Sequence, residues 1–467
     1  MTQFVEERNG SLAMAPREVA SGVTRRRLHG TAAAFAAIAG GTVGAACGVG
    51  PGAGTSSPAQ TSVCRSRVEM FVAAGPGTPR YEAYSDALKS FTRPGCTVEL
   101  SVVPSPELLA KITTAVAGGT PPAISEFPPG ALRSWLASSV LAPVDDLFKR
   151  DKLSQNDFPA AMWKYMSVDN KVWLLPGSEA NADFVLFWNK ALFREAGLDP
   201  EKGPTTITEL DTMATRLTRE QGGQIERLGM KPWDVYGIGN STQGWGYAMG
   251  AQFYDDKKDE PTFTHPRVQR AVEWMADWAK RLNYDRVQQF QQSVAVQGVP
   301  FFGTGRVGIA PLVSVHLRDS LKNDPNMQIG AGPLPGEAPG KPGAVAMGGW
   351  VVGAVAGGKQ RDEGWDALKH IGVSDDGTLA VARRGGIPGY LKSPGLTELS
   401  KDPLFKQYVD GVRRAEFTQL GFSLPGGWSS ALVQEAIEGK RSPREALEEV
   451  QRDALQRHTD WKSKNKR

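Results

Sequence analysis

The sequence predicts an α/β protein built as two lobes, each a mainly parallel sheet flanked by helices. Two observations carry this prediction. A chain of 467 residues is too long for one core of ordinary size. From Arg67 onward, segments with strand and helix patterns alternate, which is typical of a parallel sheet with helices on both of its faces.

The order of elements is clearest in the first part of the chain. The pattern predicts strands over 67–72, 97–103 and 123–127, and helices over 81–91 and 106–117, the second with Ser105 as its N-cap. In such sheets ligands bind beyond the carboxyl ends of the strands. We therefore expect the turns after Val72, Val103 and Ile124 to lie at a ligand site.

Later segments continue the alternation. An apolar strand is expected over 184–188, a helix over 190–196 that ends at Gly197, short strands over 236–238 and 306–312, and an amphipathic helix over 266–282. The chain is expected to be helical from 429 to about 456, with a break at Gly439 and a last helix that opens at Ser442-Pro443.

The composition excludes several classes of function. Lys+Arg 54 against Asp+Glu 50 gives a net charge of +4, a surplus too small to indicate nucleic-acid binding. Apolar residues make up 40% of the chain and charged residues 22%, as in ordinary globular proteins. The histidines are scattered without ligand spacing, so neither a metal site nor a cofactor is expected; they are His29, His265, His316, His370 and His458.

Residues 1–46 have the pattern of an export signal. Arg25-Arg26-Arg27 precedes a run of small apolar residues that ends at Cys47, and the order positive, apolar, small is that of a signal peptide. The arginines resemble a twin-arginine signal. Residues 44–47 resemble a lipobox, with Gly44 where an aliphatic residue is usual, which predicts lipidation of Cys47; the alternative is an ordinary secretory signal cleaved nearby. Residues 47–62 read as a flexible tether.

The two remaining cysteines precede neighbouring strands. Cys64 and Cys96 stand at the starts of the first two predicted strands, and parallel strands would bring both starts to one edge of the sheet. A disulfide is expected there in an oxidising compartment, and two free thiols are the alternative.

Several blocks of sequence, in order, resemble one known family. They are residues 119–122, 141–144, 187–198, 204–210, 303–309, 348–350, 385–388 and 439–447. Their sequence and spacing are similar to those of the extracellular solute-binding proteins (family 1) of ABC importers, best known for sugar and maltose binding, over roughly residues 67–456. Departures are Ala123 for a usual aspartate, Ile207 for a usual tryptophan, and a missing aromatic at His316.

The resemblance implies a fold and a function. It implies a periplasmic-binding-protein-like fold whose lobes are hinged by three crossings, with lobe one at 63–179 and 340–386 and lobe two at 184–335 and 390–467. Such a protein would be a monomer anchored on the outer face of the cytoplasmic membrane. It would capture a mono- or oligosaccharide between closing lobes and deliver it to the permease subunits of an ABC importer, without enzymatic activity.

Candidate ligand-binding residues are aromatic and polar side chains near predicted loops and strand ends. Tryptophans flanked by glycine suit a stacking surface for a sugar ring, and we expect Trp428, Trp245 and Trp350 to serve in this way. The alternative is a packed loop anchor for Trp428 and packing of the hinge for Trp350. Further candidates are Glu126, Phe127, Asn181, Asp183, Gly75 and His316.

Two alternatives stay open at this stage. The same fold could bind a polyamine, a glycerophosphodiester or a metal chelate. The chain could also be an exported carbohydrate-active enzyme, which would need two carboxylates facing each other across a cleft.

Overall fold

The computed structural model describes the chain from residue 66 onward, with a few gaps. Described are residues 66–130, 132–179, 181–182, 184–233, 237–338, 342–418, 420, 424–425 and 427–465. The predicted export signal and tether, Cys47 and Cys64 lie outside the described residues. So does Asp183, and for Asn181 only the backbone is described.

Short strands alternate with helices along the described chain. The strands are β1 (Ser66–Val72), β2 (Cys96–Val102), β3 (Ile124–Phe127), β4 (Ser167–Val168), β5 (Lys171–Val172), β6 (Leu174–Pro176), β7 (Asn181–Ala182), β8 (Val185–Asn189), β9 (Arg219–Gln221), β10 (Gln224–Arg227), β11 (Tyr254–Asp255), β12 (Glu260–Pro261), β13 (Ile309–Leu312), β14 (Ile329–Gly332), β15 (Ala346–Gly348), β16 (Val351–Ala354) and β17 (Phe417–Thr418). The helices are α1 (Pro79–Lys89), α2 (Ser105–Ala117), α3 (Leu132–Ala137), α4 (Asp145–Arg150), α5 (Ala160–Met166), α6 (Lys190–Glu195), α7 (Ile207–Leu217), α8 (Ile238–Ala248), α9 (Pro266–Leu282), α10 (Tyr284–Ser293), α11 (Ser314–Asn323), α12 (Arg361–Val373), α13 (Asp375–Arg383), α14 (Pro394–Leu399), α15 (Pro403–Arg414), α16 (Ala431–Ile437) and α17 (Pro443–Lys464).

The sheet of lobe one has the parallel core that the sequence predicts. Its strand order is β2-β1-β3-β16-β6, and β1 runs parallel to both β2 and β3. Val68, Met70 and Val72 of β1 are fully buried, as expected for a central strand between two layers of helices. The later strand β16 joins antiparallel to both β3 and β6, so the sheet is mixed at that side.

The sheet of lobe two corrects the prediction of a mainly parallel sheet in each lobe. Its central strand β8 pairs antiparallel with both β13 and β14. Every residue of β8 is buried, which explains why the sequence that predicts this strand is an unbroken apolar run. An apolar run indicates burial on both faces but carries no information on strand direction. Here the direction is set by partners more than a hundred residues further along the chain.

A third, small sheet connects the two lobes. Along the chain, β7 lies between β6 of the lobe-one sheet and β8 of the lobe-two sheet, and β15 lies between β14 of lobe two and β16 of lobe one. These two strands pair antiparallel, and β17 pairs parallel with β15. The chain therefore passes between the lobes through strands that are hydrogen-bonded side by side, which is a suitable arrangement for a hinge.

Helix boundaries agree with local sequence signals in most places. The amphipathic helix α9 has the predicted bounds, and α17 begins with a capping box between Ser442 and Glu445. Two predictions are wrong: the N-cap of α2 is Pro104, and helix α8 begins at Ile238 where a strand was expected. Among the residues that the structure describes, no helix has both the length and the apolar character that a bilayer crossing requires.

Candidate ligand-binding cleft

A cleft of about 520 Å³ opens between the lobes, beyond the carboxyl ends of β1 and β3. Its volume is in the range that holds small molecules. The lining combines apolar, aromatic and charged side chains from both lobes. The lining residues are Ala74, Thr78, Pro79, Arg80, Pro129, Glu179, Phe184, Asn240, Val313, Val315, His316, Arg318, Asp319 and Trp350.

Two of the three strand-end turns predicted at the site reach the cleft. Ala74 and Thr78 follow β1, and Pro129 follows β3. The turn after β2, which begins at Val103, does not line the cleft; β2 is an edge strand of the sheet, next to β1.

The lobe-one wall presents a stacked arginine. Arg80 lies in the first turn of α1, and its Cζ atom lies 3.6 Å from the centre of the Trp350 ring. This distance is that of a close cation–π contact. Trp350 follows β15 in the connection between the lobes. The predicted tryptophan thus lines the cleft, and one face of its ring is covered by a guanidinium group.

The buried carboxylate of Glu126 lies next to Arg80. Glu126 on β3 is fully buried; it accepts hydrogen bonds from the Ala73 amide (2.7 Å) and the Tyr84 hydroxyl (2.9 Å). Its Oε1 lies 3.2 Å from Arg80 Nε, and because no well-aligned hydrogen bond forms there, the contact is an ion pair. Burial raises the pKa of Glu126 to about 7, against the lowering effects of Arg80, the Ala73 amide and the Tyr84 hydroxyl.

The lobe-two wall is formed mainly by the start of α11. His316 lines the cleft, and burial lowers the pKa of its imidazole, which favours the neutral form at neutral pH. Arg318 donates a hydrogen bond from Nη1 to the carbonyl oxygen of Arg384, at the C-terminus of α13 in lobe one. A cation is stabilised at a helix C-terminus, so this bond ties the two lobes together beside the cleft.

The lobes also touch through helix α3. Ser134 Oγ donates a 3.4 Å hydrogen bond to the Pro425 carbonyl oxygen, and Arg133 Nη1 lies 3.9 Å from Asp259 Oδ1. Both contacts join lobe one to lobe two. The described conformation therefore has its lobes in contact, with the cleft between them.

The other two predicted tryptophans are placed in lobe two, outside the lining of the cleft. Trp245 is 2% exposed in the core, where its Nε1 donates a 2.8 Å hydrogen bond to the Pro232 carbonyl oxygen. Trp428 is half-buried and packs on Phe263, with ring centres 4.8 Å apart. Neither ring is among the residues that line the cleft.

The remaining predicted residues are divided between cleft, core and undescribed positions. Phe127 is 1% exposed and packs edge-on against Trp135, so it supports the strand end from within the core. Gly75 lies in the turn after β1, where its carbonyl oxygen accepts a hydrogen bond from the Thr78 hydroxyl (2.7 Å). Cys96 begins β2 opposite Ser66; it forms no disulfide with a described residue, and its predicted partner Cys64 is undescribed.

Sequence reasoning missed most of the charged lining. Arg80, Arg318 and Asp319 lie on helices, where charged residues usually indicate a solvated face. A usable signal existed for Arg80, because it follows the glycine-rich turn at the end of a strand already predicted to face the ligand. No comparable signal marks Arg318.

Gly177 supports the cleft from the connection between β6 and β7. A Cβ atom there would lie 2.5 Å from the Trp350 carbonyl oxygen and 2.7 Å from Tyr84 Oη. We expect Gly177→Ala to lower the free energy of unfolding by about 1–3 kcal/mol, because backbone would have to shift. Urea unfolding measures this, with Gly75→Ala as control, since a Cβ at Gly75 meets no atom within 4 Å. Equal midpoints for the two variants would contradict the prediction.

Two α/β lobes, joined by paired strands and enclosing a mixed polar and aromatic cleft, define a protein that captures a small molecule between its lobes. The sequence agrees with this class. Residues 74–372 match the family model described as bacterial extracellular solute-binding protein. This is more than half of the chain, and the protein belongs to that family.

Curated relatives match a shorter stretch. The sn-glycerol-3-phosphate-binding periplasmic protein of Escherichia coli (strain K12) is 30% identical over 129 residues, 27% of this chain and 27% of the relative. The corresponding protein of Shigella dysenteriae serotype 1 (strain Sd197) is 32% identical over 101 residues, 21% of this chain and 23% of the relative. The chain thus matches about a quarter of the length of these relatives.

Solved structures match most of the chain in fold. CpMnBP1 with mannobiose bound has a TM-score of 0.70 at 22% identity and covers 83% of this chain and 99% of its own. The sugar-binding protein MalE from Xanthomonas citri has a TM-score of 0.66 at 18% identity, covering 85% and 98%. At these identities the likeness establishes the two-lobed fold.

Proposed function

We propose that this protein is the extracytoplasmic binding component of an ABC importer, and that it captures a carbohydrate between its lobes for delivery to the permease. Binding occurs without conversion, so the bound molecule leaves unchanged. No metal or cofactor takes part.

The observation that carries this proposal is the cleft of about 520 Å³ with Trp350 on its wall and polar side chains from both lobes. Sugars present an apolar C–H face and a rim of hydroxyls, so they need an aromatic surface beside donors and acceptors. Structures of similar fold bear names that refer to mannobiose, mannotriose and the sugar-binding protein MalE, which supports a carbohydrate.

The charges of the cleft bear on the alternative ligands. A polyamine site should be lined by several acids, yet Glu179 and Asp319 are matched in the lining by Arg80 and Arg318. The balanced set favours a ligand rich in hydroxyls over a polycation. A glycerophosphodiester and a metal chelate stay in the screen below as competing ligands.

Export and anchoring complete the proposal. Residues 1–46 act as a twin-arginine signal, Cys47 carries the lipid, and residues 47–62 hold the lobes off the outer face of the cytoplasmic membrane. A disulfide between Cys64 and Cys96 is part of this proposal. So are the lobe boundaries given above, and a monomeric state.

A thermal-shift screen tests the function. The probes are glucose, maltose, mannobiose, mannotriose, spermidine, glycerol 3-phosphate, the glycerophosphodiester glycerophosphocholine and the metal chelate ferric citrate. A ligand at a hundred times its dissociation constant should add about 2.7 kcal/mol to the free energy of unfolding. We expect a stabilising shift with a sugar or polyol probe, and recovery of that probe unchanged after incubation.

Trp350→Ala is the matching variant. Removal of the ring takes away the aromatic wall of the cleft and the stacking partner of Arg80, so we expect the shift to disappear while the protein stays folded. Trp461→Ala is the control, because this half-buried ring lies on α17, outside the cleft lining. A spermidine-only shift, or conversion of the probe to product, would contradict the proposal.

A further inference from the structure

The Arg80 guanidinium has a partner at its Nε and on one of its flat faces, while its terminal amino groups face the cleft without one among the described residues. Its Nε faces the buried Glu126 carboxylate, and the flat face of the guanidinium lies on Trp350. The side chain is only 21% exposed. Among the described residues, no group accepts a hydrogen bond from its two terminal amino groups, and the side chain lines the cleft.

The position of Arg80 is energetically unfavourable for a charged guanidinium unless a further partner stabilises the charge. Arg80 is in the first turn of α1, where a cation is disfavoured by the helix dipole. It is also largely removed from water, which is unfavourable for a charge that lacks enough partners. The Glu126 carboxylate offsets part of this cost, but burial raises the pKa of Glu126 to about 7, so its negative charge is itself incomplete near neutral pH.

The remaining donors have a defined geometry. A guanidinium presents its terminal N–H groups as a planar fork, which matches the two oxygens of a phosphate or carboxylate. Stacking on Trp350 and the ion pair with Glu126 fix the plane of that fork before a ligand arrives, so little side-chain entropy is lost when the ligand binds.

The charges around the cleft support this reading of Arg80. Arg318 on the opposite wall donates a hydrogen bond from its Nη1 to the Arg384 carbonyl oxygen. Its Nη2 is buried 3.7 Å from Asp319 and has no hydrogen-bond partner among the described residues. Arg318 therefore serves mainly the contact between the lobes, and its buried Nη2 presents no donor at the surface of the cleft. Glu179 adds a negative charge to the lining. Of the two guanidinium groups in the lining, that of Arg80 is the one whose terminal amino groups are available to a ligand.

We infer that the physiological ligand is a sugar or polyol that carries an oxyanion, a phosphate or a carboxylate, bound by the terminal amino groups of Arg80. This inference rests on the proposed function, since it takes the cleft as the carbohydrate site. It makes Arg80 the residue that selects charged over neutral ligands. Glu126 and Trp350 are the groups that position it.

Isothermal titration calorimetry with matched pairs of probes tests the inference. The pairs are glucose with glucose 6-phosphate, glucose with glucuronate, and glycerol with glycerol 3-phosphate; the phosphate and carboxylate members distinguish the two oxyanions. We expect one charged probe to bind the unmodified protein at least about tenfold more tightly than its neutral partner, because charge-assisted hydrogen bonds are stronger than neutral ones.

Substitutions at Arg80 give the second arm. Arg80→Gln should weaken the charged probe about 10- to 100-fold, as expected for lost hydrogen bonds to a charged group, and leave the neutral probe nearly unchanged. Arg80→Lys keeps a cation beside Glu126, so it remains informative if the glutamine variant folds poorly; it should weaken the charged probe less. Arg67→Gln, at an exposed arginine paired with Glu99, is the matched control and should change neither affinity.

The two proposals fail in different ways. If the unmodified protein binds neutral sugars as tightly as charged ones, or if Arg80→Gln weakens both members of a pair equally, the oxyanion inference is overturned and the carbohydrate function stands. If no sugar or polyol probe binds at all, the proposed function itself is overturned, and the inference falls with it.

Discussion

Replacing Trp245 by alanine should lower the free energy of unfolding by about 3–5 kcal/mol, the range for removal of a large buried aromatic side chain. The ring is 2% exposed, and it packs edge-on against Trp274 at 4.9 Å between ring centres. Its loss would leave a cavity between α8 and α9 and deprive the Pro232 carbonyl oxygen of its donor. Urea unfolding, followed by far-UV circular dichroism, measures the change.

Trp428→Ala is the informative comparison. This ring is half-buried and has its main aromatic contact with Phe263, so the loss of stability should be clearly smaller. If Trp245→Ala left stability unchanged and abolished ligand binding, the ring would be a binding surface, and its placement in the core would be contradicted.

The glycines around Trp245 explain why the sequence pointed to a loop there. Gly244 and Gly246 lie within helix α8. A Cβ atom at Gly244 would lie 2.7 Å from the Phe184 ring, and one at Gly246 would lie 2.5 Å from the Phe253 ring. These glycines therefore permit close packing of aromatic rings on a helix. In the sequence alone, the same residues are indistinguishable from loop glycines.

Local signals predicted well wherever neighbours along the chain determine the structure. Helix α9 shows its bounds through apolar spacing and its initial proline, and β1 and β2 pair in parallel as their alternation with α1 implies. The direction of β13 and β14 beside β8 could not be predicted in this way, because it depends on long connections whose path leaves no periodic pattern.

The candidate site shows the same division. The turn after β1 and the strand end at Glu126 were predicted to face the ligand, and Trp350 does line the cleft. The role of Glu126 was not predictable: whether a carboxylate at a strand end reaches the ligand or a neighbouring side chain depends on Arg80, which comes from a different element. Residues from three distant segments of the chain contact one another there, and no local sequence pattern predicts such long-range contacts.

Glu126 should give the protein a stability that falls as pH rises from about 4.5 to about 7. Burial raises the pKa of this carboxyl from its ordinary value of 4.5 to about 7. The folded protein therefore holds the proton more tightly than the unfolded chain, and stability falls with pH in that window. At about 1.4 kcal/mol per tenfold change in proton affinity, the difference between pH 4.5 and 7.5 amounts to at most about 3 kcal/mol.

The comparison of unmodified protein with Glu126→Gln isolates this contribution, because all other titrating groups are shared. Unfolding free energies measured in urea at a series of pH values should converge or cross as the pH rises, since only the carboxylate pays the cost of buried ionisation. Tyr84→Phe removes a hydroxyl that stabilises the ionised form of Glu126. In this variant the pKa of Glu126 should be higher, so the pH range over which the free energy of unfolding falls should extend to higher pH. Parallel curves for the unmodified protein and Glu126→Gln would mean that Glu126 stays ionised throughout, with Arg80 as a full counter-ion; the donors of Arg80 would then be less available to an anionic ligand.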